Sequence, residues 1–149
     1  MRIRSLIFML LFFGLASVTF CADQKKINEF VDVKLSLKQK VVKPGSTCDL
    51  LIRFKPKQGI HINFEPPISV KFDSTTYLNK IDKLIIPRKP KQEYLDTKQE
   101  LVQKFSIAND TPTGDIVLKG TLIYFYCSGS DGWCSRYKHP FEVSVKIKK

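Results

Sequence analysis

Apolar and polar residues trade places along this chain with a period of two. VDVKLSL (31–37) sets Val31, Val33, Leu35 and Leu37 against Asp32, Lys34 and Ser36, the pattern of a strand with one buried face. Pro44-Gly45 marks a turn. CDLLIRF (48–54) then groups Cys48, Leu50, Ile52 and Phe54, with Asp49 and Arg53 opposite. After a turn at 55–59, IHINF (60–64) alternates Ile60, Ile62 and Phe64 against His61 and Asn63, and ISVKF (68–72) follows Pro66-Pro67. LVQKFSI (101–107), a turn at 109–114, a long strand DIVLKGTLIYFYC (115–127) and FEVSVKI (141–147) complete the series. The stretch 73–100 is less regular. Leu84, Ile85 and Ile86 predict a short strand before Pro87, and the polar run 88–100 predicts a long loop or cap.

No stretch carries a helical period, and no repeat is visible. Strand after strand joined by short turns predicts an all-β fold, an antiparallel immunoglobulin-like β-sandwich. The long strand and the last strand flank YFYCSGSDGWC, so its two cysteines fall in an excursion between neighbours.

The first residues read differently. A basic start, Met1-Arg2-Ile3-Arg4, precedes the apolar run LIFMLLFFGLA (6–16), which is too short to cross a bilayer comfortably and suits a secretory signal. Residues 1–22 are therefore read as a signal peptide and 23–149 as one exported domain. Cleavage after Gly14-Leu15-Ala16 and after Thr19-Phe20-Cys21 both fit. A lipid anchor on Cys21 is the less favoured alternative, because the bulky Phe20 precedes it. No later run is long and apolar enough for a transmembrane helix.

The formal charge is +11, and +9 once Arg2 and Arg4 leave with the signal. Such a balance raises nucleic acid as a partner. The lysines are dispersed, however, and no arginine-rich arm accompanies them. Export argues further against nucleic acid, and the lysines read as solvated faces and guarded strand edges.

Four cysteines are present, Cys21, Cys48, Cys127 and Cys134. Loss of Cys21 leaves three, hence one bridge and one odd thiol in an oxidising compartment. The 127–134 loop has three readings. Gly129 and Gly132 let the backbone turn back, so a structural bridge is the plain one. Closing so short a loop contributes about 2.5 kcal/mol in the chain-entropy picture. A metal clip would need Cys127, Cys134, His139 and His61 together. The cysteine spacing is wider than metal clips use and the histidines are few, so no metal is expected. A redox pair needs one accessible sulfur and a second to resolve a mixed disulfide. The spacing is not the Cys-x-x-Cys of thioredoxins, so such a pair would exchange with a partner carrying the catalytic thiol.

IRFKPKQGIHINFEPP, EYLDTKQELVQKFSI and LKGTLIYFYCSGSDGWC follow one another in an order and spacing that resembles the N-terminal domain of the thiol:disulfide interchange protein DsbD. The likeness spans roughly 31–147, and it lies in the joint order of loose motifs. It implies an immunoglobulin-like domain in the bacterial periplasm, needing no cofactor. Such a domain takes reducing equivalents from a thioredoxin-like domain and passes them to other thiol proteins. By the same resemblance Cys127 and Cys134 are the redox pair, with Cys134 engaging partners and Cys127 resolving. Tyr94 falls at the aromatic of a cap loop that shields the pair, preceded by the acid Glu93. His61 and Asn63 fall where tyrosines line the site.

Each of these residues also has a plainer reading. Cys48 shares a face with Leu50, Ile52 and Phe54 and is expected to be an inert core thiol. His61 is either a polar strand residue or a stabiliser of a thiolate. Trp133 either packs over the sheet or covers the disulfide and meets a partner. Arg136 and Lys138 are solvated charges by default. The expected function is periplasmic thiol–disulfide exchange through Cys127 and Cys134. The alternative is a non-enzymatic exported binding or assembly module in which the bridge is structural.

Overall fold

The computed structural model describes residues 28–149. The expected signal segment, its cleavage sites and Cys21 lie outside the described residues. Nine strands form, and no helix is present among the described residues: β1 (Val31–Leu37), β2 (Val41–Val42), β3 (Thr47–Pro56), β4 (Ile60–Ile62), β5 (Ser69–Phe72), β6 (Leu78–Ile81), β7 (Leu101–Ile107), β8 (Gly114–Ser128) and β9 (Cys134–Ile147). One sheet runs β1-β3-β7-β6; the other runs β2-β9-β8-β4, with β5 also on β8. This is the strand arrangement of an immunoglobulin-like sandwich, all-β as expected. One pairing is parallel: the two residues of β2 run alongside the end of β9.

The period-two pattern explains the layers. Cys48, Leu50, Ile52 and Phe54 of β3 are all buried, and so are Leu101, Phe105 and Ile107 of β7. They face Leu118, Leu122, Tyr124 and Tyr126 of β8 and Phe141, Val143, Val145 and Ile147 of β9. Two core polar groups have partners. Gln103 donates to the carbonyl of Asp82 at 2.6 Å. The Tyr124 hydroxyl accepts from Asn28 at 2.9 Å, and burial raises its pKa well above that of an ordinary tyrosine.

Three features differ from the sequence reading. β9 begins at Cys134 rather than near Phe141, because its inward positions Ser135, Tyr137 and His139 are polar or amphipathic and hide the alternation. Tyr137 packs against Tyr124 with ring centroids 5.7 Å apart. The strand expected at Leu84–Ile86 is reduced to a single bridge between Ile85 and Val102. Strand β6 forms instead at Leu78–Ile81, pairing with β7 through an irregular register. Finally, the cysteines are not in an excursion: the two longest strands run up to them.

Candidate functional site

At one end of the sandwich β8 turns back into β9. Cys127 and Cys134 stand directly opposite each other, their Cα atoms 4.1 Å apart, joined by a disulfide. The approach is that of a non-hydrogen-bonded antiparallel pair. The flanking rung is the bonded one, with Ser128 N donating to the Trp133 carbonyl at 2.9 Å. Within the turn the Ser128 hydroxyl donates to Asp131 Oδ2 at 2.8 Å and accepts from the Asp131 amide at 3.2 Å. Gly132 closes the turn at φ +67°, a left-handed conformation that glycine adopts without a Cβ clash. A short, self-bonded turn on two paired strands thus fixes the cysteines.

The outer face of the second sheet carries the other residues. His61 lies opposite Cys127, and two residues on, Asn63 donates from Nδ2 to Cys127 Sγ at 3.1 Å. The Tyr94 ring stacks on the His61 imidazole, centroids 4.7 Å apart and planes 24° from parallel. Tyr94 reaches there because its strap bridges to the free edge of β4: Asn63 pairs with Tyr94, and Leu95 N donates to the Ile62 carbonyl at 2.9 Å. The strap has its own anchors. Leu95 is buried, Gln92 donates to the Tyr94 carbonyl at 2.7 Å, and the Arg88 guanidinium sits 4.4 Å over the Phe64 ring. On the far side of the imidazole is the hairpin tip. A Cβ on Gly129 would stand 3.1 Å from His61 Nε2, and the Gly129 amide donates to the Gly59 carbonyl at 3.0 Å.

The structure therefore gathers Cys127, Cys134, His61, Asn63 and Tyr94. Glu93 is exposed on the strap and makes no hydrogen bond or ion pair among the described residues. Trp133 occupies the opposite face of β9 from Cys134, its ring 5.1 Å from Phe30 and 5.8 Å from Tyr126, closing that end of the core. Arg136 and Lys138 are exposed on the Cys134 face. His139 alternates to the other face, and among the described residues no group of His, Cys, Asp and Glu could hold a metal ion. Arg88 and Gln92, which hold the strap, carry no signal in the sequence. Their partners are set by the fold of a polar segment that has no period to read.

The three described thiol positions differ in access. Cys134 is exposed and Cys127 half-buried. Cys48 is fully buried, and burial, with a smaller contribution from Asp49, pushes its thiol up to about 11. A group so placed neither ionises nor meets reagents near neutral pH. The pair, by contrast, joins an exposed residue to a half-buried one in a single bond.

The sequence matches no protein-family model and no curated protein. Among solved structures, similar folds include a chain of a type I cohesin–dockerin complex from Clostridium thermocellum. That likeness has 13% identity and a TM-score of 0.47, covering 78% of this chain and 99% of that one. The DsbD N-terminal domain of Neisseria meningitidis in its reduced form is another, at 18% identity and a TM-score of 0.41, covering 78% of this chain and 86% of that one. At such identities and TM-scores neither likeness bears on chemistry.

Proposed function

We propose that this protein is an exported, periplasmic thiol–disulfide exchange domain that relays reducing equivalents through Cys127 and Cys134 to partner thiol proteins. The observation that carries the reading is the unequal exposure of the two cysteines: Cys134 is an exposed residue at the hairpin end, while Cys127 is half-buried beside β4. A partner thiolate attacks Cys134 Sγ, an S–S bond forms to the partner, and the Cys127–Cys134 bond breaks with its electron pair on Cys127. The partner's second thiol then attacks the partner sulfur of the mixed disulfide, closing the partner's own disulfide and leaving Cys134 and Cys127 reduced. Outward, the Cys134 thiolate attacks a substrate disulfide, and Cys127 attack on Cys134 Sγ re-forms the Cys127–Cys134 bond and expels the reduced substrate. Partners of the thioredoxin-like class carry the exposed thiol this requires. The strap at Tyr94 limits approach to one side.

The bridge has little to do as a staple. β8 and β9 already pair over fourteen consecutive positions, Gly114 to Cys127 against Ile147 to Cys134, so the disulfide ties together strands that are held without it. A binding or assembly module with an inert bridge is the reading that the test below would restore.

Trapping separates the two. Reduced Cys127→Ala and Cys134→Ala chains are mixed with a thioredoxin-fold protein whose single active-site cysteine carries an aromatic thiol as leaving group. Cys127→Ala, which keeps the exposed Cys134, is expected to form the covalent adduct at least about tenfold faster, since access to the attacking sulfur controls exchange. Equal rates, or no adduct beyond that of an ordinary surface thiol, contradict the relay.

A further inference from the structure

Asn63 is placed oddly for a residue serving stability alone. Its Nδ2–H donates to Cys127 Sγ at 3.1 Å, while Oδ1 is buried with no hydrogen-bond partner. Buried polar atoms are nearly always satisfied, and a half-satisfied amide is a cost. The orientation follows from chemistry: a disulfide sulfur has no hydrogen to give, so only the N–H end of the amide can face it. Among the described residues no donor reaches Cys134 Sγ.

We propose that Asn63 is a positioning residue that makes Cys127 the leaving sulfur, so that opening of the bridge is directed to Cys134. The proposal rests on the exchange reading. When a partner thiolate bonds to Cys134 Sγ, the electron pair of the broken bond goes to Cys127, and the neutral sulfur accepting from Asn63 becomes a thiolate accepting from the same N–H. Hydrogen bonds to a charged acceptor are about twice as strong as neutral ones, so the contact tightens as the bond breaks. Attack on Cys127 would instead expel Cys134, which has no such donor. A better-stabilised thiolate leaves faster, and exposure and leaving-group chemistry therefore select the same sulfur. Turned over, the amide could offer Oδ1 to a protonated Cys127, but that bond is neutral and weaker, so the net bias is toward the thiolate.

Two measurements test this on the purified chain, with Asn63→Ala and the near-isosteric Asn63→Asp, which keeps the shape but loses the donor. In a Cys134→Ser background the pH dependence of Cys127 alkylation is read by peptide mapping, so that other thiols do not interfere. Its midpoint is expected to move to higher pH in Asn63→Ala and further in Asn63→Asp, whose carboxylate opposes a thiolate. In the intact pair, opening by glutathione is expected to slow about tenfold, with a larger share of the adduct on Cys127. An unchanged midpoint and unchanged adduct distribution in both variants overturn the role of Asn63 while leaving exchange standing. A midpoint that moves in a pair that glutathione does not open sinks the exchange reading, and the leaving-group role with it.

Discussion

Asp49 and Lys104 face each other across β3 and β7, and the lysine donates to Asp49 Oδ1 at 2.8 Å. That hydrogen bond, followed by the opposing desolvation and then the lysine's charge, leaves the carboxyl below the usual carboxylate range. The folded carboxyl thus holds its proton less tightly than the unfolded one. Its stabilisation is complete above the ordinary value of 3.8 and is lost as pH falls through the depressed folded value. Asp49→Asn should therefore cost about 1 kcal/mol near neutral pH and progressively less as the pH falls below the ordinary carboxylate range, read from urea midpoints. A cost that stays the same as the pH is lowered into acid would show that the ion pair does not contribute. Asp49 also marks a limit of reading by periodicity. The alternation puts it on the polar face of its strand, which is correct, yet it is buried because Lys104 lies opposite, 55 residues away, and Gln39 accepts from its amide. Cys48, one residue before, was legible because its burial follows from its own strand's pattern.

The hairpin β8–β9 and the strap on β4 are the elements that make the site. Gly132 sits in left-handed backbone, and a methyl group added at its Cα would have nothing within 4 Å, so a substitution there meets no steric neighbour and only backbone strain is added. Gly132→Ala is expected to lower stability by about 1 kcal/mol in thermal or urea unfolding, with Gly132→Asn costing less. Equal stability of Gly132→Ala and the parent would show that the turn relaxes without its left-handed residue. Among the elements, β1 was legible to the residue because it alternates cleanly, and β7 was legible although polar Gln103 stands on its buried face. β2 is too short to show a period. The sequence at β6, LNKI, does not alternate cleanly. The first half of β9 reads as a loop because its inward side chains are polar, and only the pairing with β8 reveals it. The strap's contact with the site was suggested by resemblance alone; the Tyr94–His61 stack and the Asn63–Cys127 bond depend on β4 registering with β8 some 64 residues further on.

At the scale of the molecule, the sandwich supplies a rigid frame and places the site where loops of both sheets converge. The turn before β4 and the β8–β9 tip meet through the Gly129–Gly59 hydrogen bond, and the Phe30, Trp133 and Tyr126 rings close the core beneath. No helix among the described residues is long and apolar enough to cross a membrane. The fold is compatible with many functions, and the proposed chemistry lies in one bond between an exposed and a half-buried cysteine. Its reduction potential is the most direct test. Equilibrated against glutathione and read by thiol trapping, the Cys127–Cys134 pair is expected to fall between roughly −120 and −270 mV, the span of working oxidoreductases. A potential below about −300 mV, where structural disulfides lie, would contradict the relay and leave a stapled binding domain.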